Sequence, residues 1–130
     1  MTTDTFPKES AVRIKILGKT VTIGGMAKGA GMIHPDMATM LAFIATDLKV
    51  SAPLLRKMLR TSVDKSFNMI SVDGETSTND MVICLANGQA DNRSIEKSAA
   101  GRLAFQKGLD AVCLDLAKMI ARDGEGATKL

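Results

Sequence analysis

Val12-Arg13-Ile14-Lys15-Ile16-Leu17-Gly18-Lys19-Thr20-Val21-Thr22-Ile23 is the stretch that sets the fold class. Val12, Ile14 and Ile16 alternate with Arg13 and Lys15, the period-two pattern of a strand with one buried face. Gly18-Lys19 offers a two-residue turn, and Val21 and Ile23 resume the alternation, so the stretch reads as a β-hairpin. Upstream, residues 1–10 are polar and extended, and Pro7 disfavours helix at Phe6. Downstream the pattern breaks. Gly24, Gly25, Gly29 and Gly31 crowd together and Pro35 follows, so residues 24–37 read as a loop whose backbone bends sharply or approaches another group closely.

Residues 38–47 are short and nearly all apolar, which predicts a strand buried on both faces. Ser51 is placed to cap a helix and Pro53 suits its first turn. Leu54, Leu55, Met58, Leu59, Ser62, Val63 and Phe67 then recur at helical spacing. Residues 69–73 read as a short strand ending at Asp73-Gly74, and residues 81–86 as a second buried strand closed by Asn87-Gly88. A long helix is expected from about Ser94 to Arg122. Its apolar stripe is Phe105, Leu109, Val112, Cys113, Leu116, Met119 and Ile120, with Gly101 and Gly108 weakening its first half. Thr128-Lys129-Leu130 reads as the start of another strand. The alternation of strands and helices gives an α/β (α+β) class, with helices layered on a mixed β-sheet.

At 130 residues, 45% of them hydrophobic and 24% charged, the chain has the length of one domain and can bury a core. Four Phe and no Trp or Tyr make that core aliphatic, with nine Met as adaptable filler. The 17 Lys and Arg are interspersed with 14 acids, so the net charge of +3 comes from no basic run; neither a nucleic-acid nor a membrane surface is indicated. The start of the sequence has no signal-peptide pattern and no stretch has the length of a membrane span, which makes the cytoplasm the expected compartment. Cys84 and Cys113 form no C-x-x-C pair and read as buried thiols in a reducing compartment.

Several familiar motifs fail. Gly25-Met26-Ala27-Lys28-Gly29 lacks the Gly-Lys-Ser/Thr step of a phosphate loop, and Gly29-Ala30-Gly31 lacks the later Gly of a dinucleotide fingerprint. Asp73 to Cys84 has Thr78 where a calcium loop needs Gly and Cys84 where it needs Glu. His34 is the sole His, so neither a His-based triad nor a zinc cluster can be argued, and His34 reads as a loop residue rather than a catalyst. A polar set at loop–strand junctions remains: Thr2, Thr3, Lys28, Thr39, Asn79, Asp80 and Glu125. Singly, each has an ordinary structural reading. Lys28 stands out, because it sits in a glycine cluster that leads into a strand, and chemistry is often carried on a loop held by a rigid element.

The same residues carry a family likeness. Gly25-Met26-Ala27-Lys28-Gly29-Ala30-Gly31-Met32-Ile33-His34-Pro35-Asp36-Met37-Ala38-Thr39-Met40-Leu41-Ala42-Phe43 resembles the self-cleavage segment of the ornithine acetyltransferases, the glutamate N-acetyltransferases of arginine biosynthesis. The likeness continues through Ser66-Phe67-Asn68, Val72 to Asp80, and Ala121 to Lys129, and takes in Thr2 to Lys8. It covers essentially the whole chain. It implies part of an αββα fold, with residues 1–38 as the end of an α chain (hairpin plus cleavage loop) and residues 39–130 as the start of a β chain. Together they make one incomplete domain.

The resemblance also implies a mechanism. The precursor would cleave itself between Ala38 and Thr39, and Thr39 would become the catalytic nucleophile. A Thr hydroxyl is a poor nucleophile unaided. Cleavage exposes an α-amine of pKa about 8 on the same residue, which can take the hydroxyl proton directly or through water, so no His is required. Thr39 would accept the acetyl group of N-acetylornithine and pass it to glutamate in a ping-pong cycle. No cofactor is implied, and acetyl-CoA is a candidate second donor because some members use it. Thr2, Lys28, Thr39 and Glu125 match the family's substrate contacts; by charge, Lys28 suits a substrate carboxylate and Glu125 a substrate amine.

The family's chains are much longer, and they form α/β heterotetramers. Their oxyanion-hole Thr-Gly pair and last substrate-binding residues match nothing in these 130 residues. Losing one oxyanion donor costs about 100- to 1000-fold in rate, so the expectation is a fragment with little or no activity alone that works with the remaining α- and β-chain segments. Ala30 and Met69 stand where the family commonly has Ser and Arg. Two further readings stand beside this one: a non-enzymatic remnant serving as a structural or interaction piece, and a hydrolase related to the self-cleaving aminopeptidases, which typically place Ser at the cleavage point.

Overall fold

A computed structural model describes residues 4–29, 40–69 and 80–123. The chain runs through strands β1 (Lys8–Ile16), β2 (Lys19–Lys28) and β3 (Leu41–Thr46), helix α1 (Ala52–Asp64), a 3-10 turn at Phe67–Met69, strand β4 (Met81–Ala86) and helix α2 (Ala99–Arg122). The four strands form one sheet in the order β1-β2-β3-β4. β1 with β2 and β2 with β3 are antiparallel; β3 with β4 is parallel, with α1 inside the crossover. The sheet is mixed and helix-backed, as the sequence predicts.

The hairpin is present, but its turn lies one residue earlier than expected. Ile16 pairs with Lys19, leaving Leu17 and Gly18 as the central residues, with φ of 49° and 82°. Two left-handed residues give the primed turn that matches strand twist. Leu17 takes a conformation that its side chain disfavours, and so a sequence reading passes over it.

The larger correction concerns residues 24–28. They are not loop but the second half of β2, where Gly24 faces Ala11 and Ala45, and Gly25 faces Ser10 and Ile44. Gly25 is there because α2 passes close above it. A Cβ on Gly25 would stand 2.9 Å from Leu116 Cδ1 and 3.1 Å from Val112 Cγ1. Gly108 of α2 makes the reciprocal approach, where a Cβ would meet Ile14 Cδ1 and Ile23 Cδ1 at 3.0 Å. Gly108 thus costs helix propensity and permits contact, rather than merely weakening the helix.

Helix α1 forms as predicted, with the Ser51 hydroxyl accepting the Leu54 N–H at 3.4 Å and proline in its first turn. Met69, expected to open a strand, belongs instead to the 3-10 turn; residues 70–73 lie outside the described residues, as do His34 and residues 128–130. Helix α2 begins at Ala99, not near Ser94, because the Ser98 hydroxyl caps it by accepting the Gly101 N–H at 3.0 Å. Its stripe is buried as read, with Met119 only half-buried.

Both helices pack on one face of the sheet. Val21, Ile23, Ala27, Ala42 and Ile44 meet Phe105, Leu109, Val112, Cys113 and Leu116 there, with Leu55 and Met58 of α1 beside them. Cys113 is fully buried and its thiol is pushed up to about 12 by that burial and by Cys84 and Asp110; Cys84 is half-buried and pushed up to about 11 by desolvation. Both are protonated, unreactive thiols at neutral pH. The opposite face differs from the sequence reading, because β3 and β4 are not buried on both sides. Met26 stands beside Phe43 there, and Leu85 lies two positions along β4 from Ile83, the partner of Phe43; the three have 61%, 44% and 65% of their surface exposed. No described helix covers this apolar row.

Phe105 is the largest fully buried side chain, and it sits between sheet and helix. Phe105→Ala is expected to cost about 3–5 kcal/mol in a chemical denaturation experiment, through lost transfer energy and the cavity left behind.

Candidate functional site

The sheet register decides which residues meet. Lys28, the last residue of β2, pairs with Leu41, the first of β3, and Leu41 pairs with Met81, the first of β4. Lys8, the first residue of β1, pairs with Ala27 beside them. One end of the sheet therefore gathers the start of β1, the end of β2, and the starts of β3 and β4. Lys28 is exposed at this end, on the face away from the helices.

A buried ion cluster ties the rest of the chain to the same end. The Lys8 ammonium bridges the carboxylates of Asp4 and Asp123, at 2.7 Å from Asp123 Oδ2, and the three side chains are 0–3% exposed. The Lys8 Nζ also lies 4.9 Å from the centre of the Phe6 ring. Asp4 Oδ1 accepts the Gly29 N–H at 3.0 Å, so it fastens the end of β2 to the segment preceding β1. Asp123 accepts the Thr5 N–H at 2.9 Å and the Thr5 hydroxyl, which ties the end of α2 to that segment as well. Asp123 is the C-cap of α2, where the helix dipole disfavours an anion, and Lys8 offsets that. Burial pushes the Asp123 carboxyl up, but Lys8, the Thr5 hydroxyl and the Thr5 N–H outweigh it and hold the group at about 2. Asp4 is lowered on the same balance, burial opposed by Lys8 and the Gly29 N–H.

The third fixture lies at the entry to β3. The Met40 N–H donates to Asp80 Oδ1 at 2.9 Å, and the Met40 carbonyl accepts the Met81 N–H at 3.0 Å. Met40 and Asp80 also line a cleft of about 340 Å³ with Arg56, Arg60, Phe67 and Asn68. Guanidinium groups at such a cleft suit an anionic small molecule.

Of the residues singled out in the sequence, Lys28 closes β2 rather than lying in a loop and Asp80 precedes β4; Thr2, Thr3, Ala38, Thr39, Asn79 and Glu125 lie outside the described residues. The described residues that adjoin them in sequence are held at one end of the sheet: Asp4 and Thr5 by Lys8 and Asp123, Gly29 by Asp4, Met40 by Asp80, and Asp123 by Thr5 and Lys8. Sequence reasoning missed Lys8, Asp4 and Asp123 altogether. Lys8 and Asp4 are four residues apart in a non-helical segment and Asp123 is 115 residues from Lys8, so no local pattern joins them. Among the described residues no group of three His, Cys, Asp or Glu side chains could hold a metal ion, and no helix is long and apolar enough to cross a membrane.

Comparison with known proteins adds identity to this geometry. The ArgJ family model matches residues 1–130. The arginine biosynthesis bifunctional protein ArgJ of Symbiobacterium thermophilum is 64% identical over 130 residues, which is 100% of this chain and 32% of that protein. The proteins of the same name from Listeria monocytogenes and Bacillus subtilis are 56% and 57% identical over the whole chain, which covers 33% and 32% of them. The chain thus spans about a third of the length of the curated relatives it matches. The crystal structure of the ArgJ protein from Bacillus halodurans superposes with a TM-score of 0.59 at 46% identity, covering 64% of this chain and 39% of that one. A Pyrococcus horikoshii protein shares the fold alone, with a TM-score of 0.58 at 12% identity over 92% of this chain and 40% of its own.

Lys8→Met leaves two buried carboxylates without their cation and is expected to destabilise the fold by about 3–5 kcal/mol in urea titration. Because Asp123 is depressed from 3.8 to about 2 in the folded state, its contribution is complete above about pH 4 and is lost as pH falls towards 2. Thermal melts across that window should show a steep acid limb in the parent chain and a shallower one in Asp123→Asn.

Proposed function

This chain belongs to the ArgJ family, and from that membership we propose that it is part of an acetyltransferase of arginine biosynthesis that carries its acetyl group on Thr39. Residues 1–38 form the end of an α chain and residues 39–130 the start of a β chain, separated by self-cleavage between Ala38 and Thr39. The Thr39 hydroxyl attacks the Ala38 carbonyl, the acyl group moves from nitrogen to oxygen and so frees the Thr39 α-amine, and hydrolysis of the ester by water releases the Ala38 carboxylate and restores the Thr39 hydroxyl. That amine, or a bridging water, then takes the hydroxyl proton as Thr39 attacks the acetyl carbonyl of N-acetylornithine. The amide C–N bond breaks, ornithine leaves with the proton, and the amine of glutamate takes the acetyl group from the ester. Acetyl-CoA serves as a second donor to the same Thr39.

The observation that supports this most is the gathering of chain segments. Asp4, Gly29, Met40 and Asp123 are the described neighbours of Thr2, Lys28, Thr39 and Glu125, and they are fastened at one end of the sheet by side chains and register. Lys28 meets a substrate carboxylate and Glu125 a substrate amine. Full activity requires the remaining two thirds of the length seen in relatives, which supply the oxyanion donors and the last substrate contacts. Those segments also cover the apolar row of Met26, Phe43 and Leu85, in an α/β heterotetramer of the cytoplasm.

The test is co-expression of this chain with the complementary segments of a close relative. Intact mass should show scission before Thr39, and the assembly should move acetyl groups from N-acetylornithine to glutamate. Thr39→Ala should remain uncleaved and lose more than about a thousandfold in kcat. Transfer that survives Thr39→Ala would sink the mechanism. A parent assembly that neither splits nor transfers would instead favour the non-enzymatic remnant.

A further inference from the structure

Asp80 is an exposed carboxylate, and among the described residues its Oδ1 accepts the Met40 N–H at 2.9 Å. Met40 sits one residue outside the β3–β4 ladder, whose first pair is Leu41 with Met81. Its carbonyl is taken by the Met81 N–H at 3.0 Å, as ladder geometry provides. Among the described residues no strand carbonyl receives its N–H, and the side chain of Asp80 does. Two consecutive residues of the β4 end thus hold both polar backbone groups of Met40.

The Met40 N–H belongs to the peptide unit that joins Met40 to residue 39, and the atoms of that unit share a plane. A carboxylate that fixes the direction of the N–H therefore fixes the orientation of the peptide through which the chain enters β3 at Met40. We propose that Asp80 is a positioning residue for the Thr39 nucleophile, acting through the Met40 N–H. This rests on the reading of Thr39 as the acetyl carrier. Asp80 touches neither substrate nor reacting atom in this role, and the role needs an acceptor oxygen rather than a negative charge. Its exposed position makes it a weak contributor to the fold, which separates positioning from stability.

Two variants test it. Asp80→Asn keeps an acceptor oxygen and Asp80→Ala removes it. In the 130-residue chain, hydrogen exchange at the Met40 amide should quicken at least about 10-fold in Asp80→Ala and stay within about 3-fold in Asp80→Asn, with thermal midpoints within a few degrees of the parent. In the co-expressed assembly, Asp80→Ala should lower kcat per acetylatable Thr39 by roughly 10- to 100-fold with both KM values little changed, and Asp80→Asn should restore it. Unchanged Met40 exchange in Asp80→Ala would overturn the proposal. So would a parent-like kcat, or a loss confined to KM or to the fraction of acetylatable sites. If the parent assembly never acetylates Thr39, the reading of Thr39 fails and the role of Asp80 falls with it; a parent that acetylates normally while Asp80→Ala matches it overturns the role of Asp80 alone.

Discussion

The close passage of α2 over β2 is the constraint on which the other contacts depend. Gly25 on the strand and Gly108 on the helix each lack the Cβ that would force the two apart. With the helix seated there, Phe105, Leu109, Val112 and Leu116 reach the row of Val21, Ile23 and Ile44 and close the core. Helix and strand are both rigid, so the seat also fixes where the last turn of α2 arrives. It arrives with Asp123 against Lys8, at the end of the sheet where β2 finishes and β3 begins.

That arrival explains why a buried ammonium is tolerated. Charges out of water are costly and are retained when paired and hydrogen-bonded. Lys8 has two carboxylates, and each carboxylate has a backbone N–H besides. The cluster does what an apolar contact could not, because it fastens three separate segments in one orientation: the lead into β1, the exit from β2 and the end of α2. Asp80 does the same for the entry to β3 with a single bond. These segments flank the residues to which the family likeness gives the chemistry.

Much of this architecture was legible in the sequence. The alternation of Val12, Ile14 and Ile16 with charged neighbours gave the hairpin, Ser51 and Pro53 gave the start of α1, and the stripe from Phe105 to Ile120 gave the buried face of α2. What escaped depended on a partner distant in sequence. Gly24 and Gly25 looked like loop because glycine signals a bend locally, whereas at Gly25 the signal was a helix passing overhead. The strands β3 and β4 looked buried on both faces because they are apolar on both, yet no described element covers Met26, Phe43 and Leu85. The Lys8 cluster left no trace in spacing. For the site, pattern alone set Lys28 apart by its glycine cluster but ranked Thr39 no higher than other polar residues at strand ends, and it was the family likeness that gave both a role.

Identity across the whole chain places it in its family, and the fold brings the starts of β1, β3 and β4 and the ends of β2 and α2 to one end of a sheet. In the proposed reaction Thr39 is the residue that carries the acetyl group. The most direct measurement is to mix the complemented, cleaved protein with N-acetylornithine in the absence of glutamate, quench it, and map the label by peptide mass. A single acetyl group is expected on the peptide that begins at Thr39, discharged when glutamate is added. An acetyl group on any other residue, or none on a protein that still transfers, would contradict it.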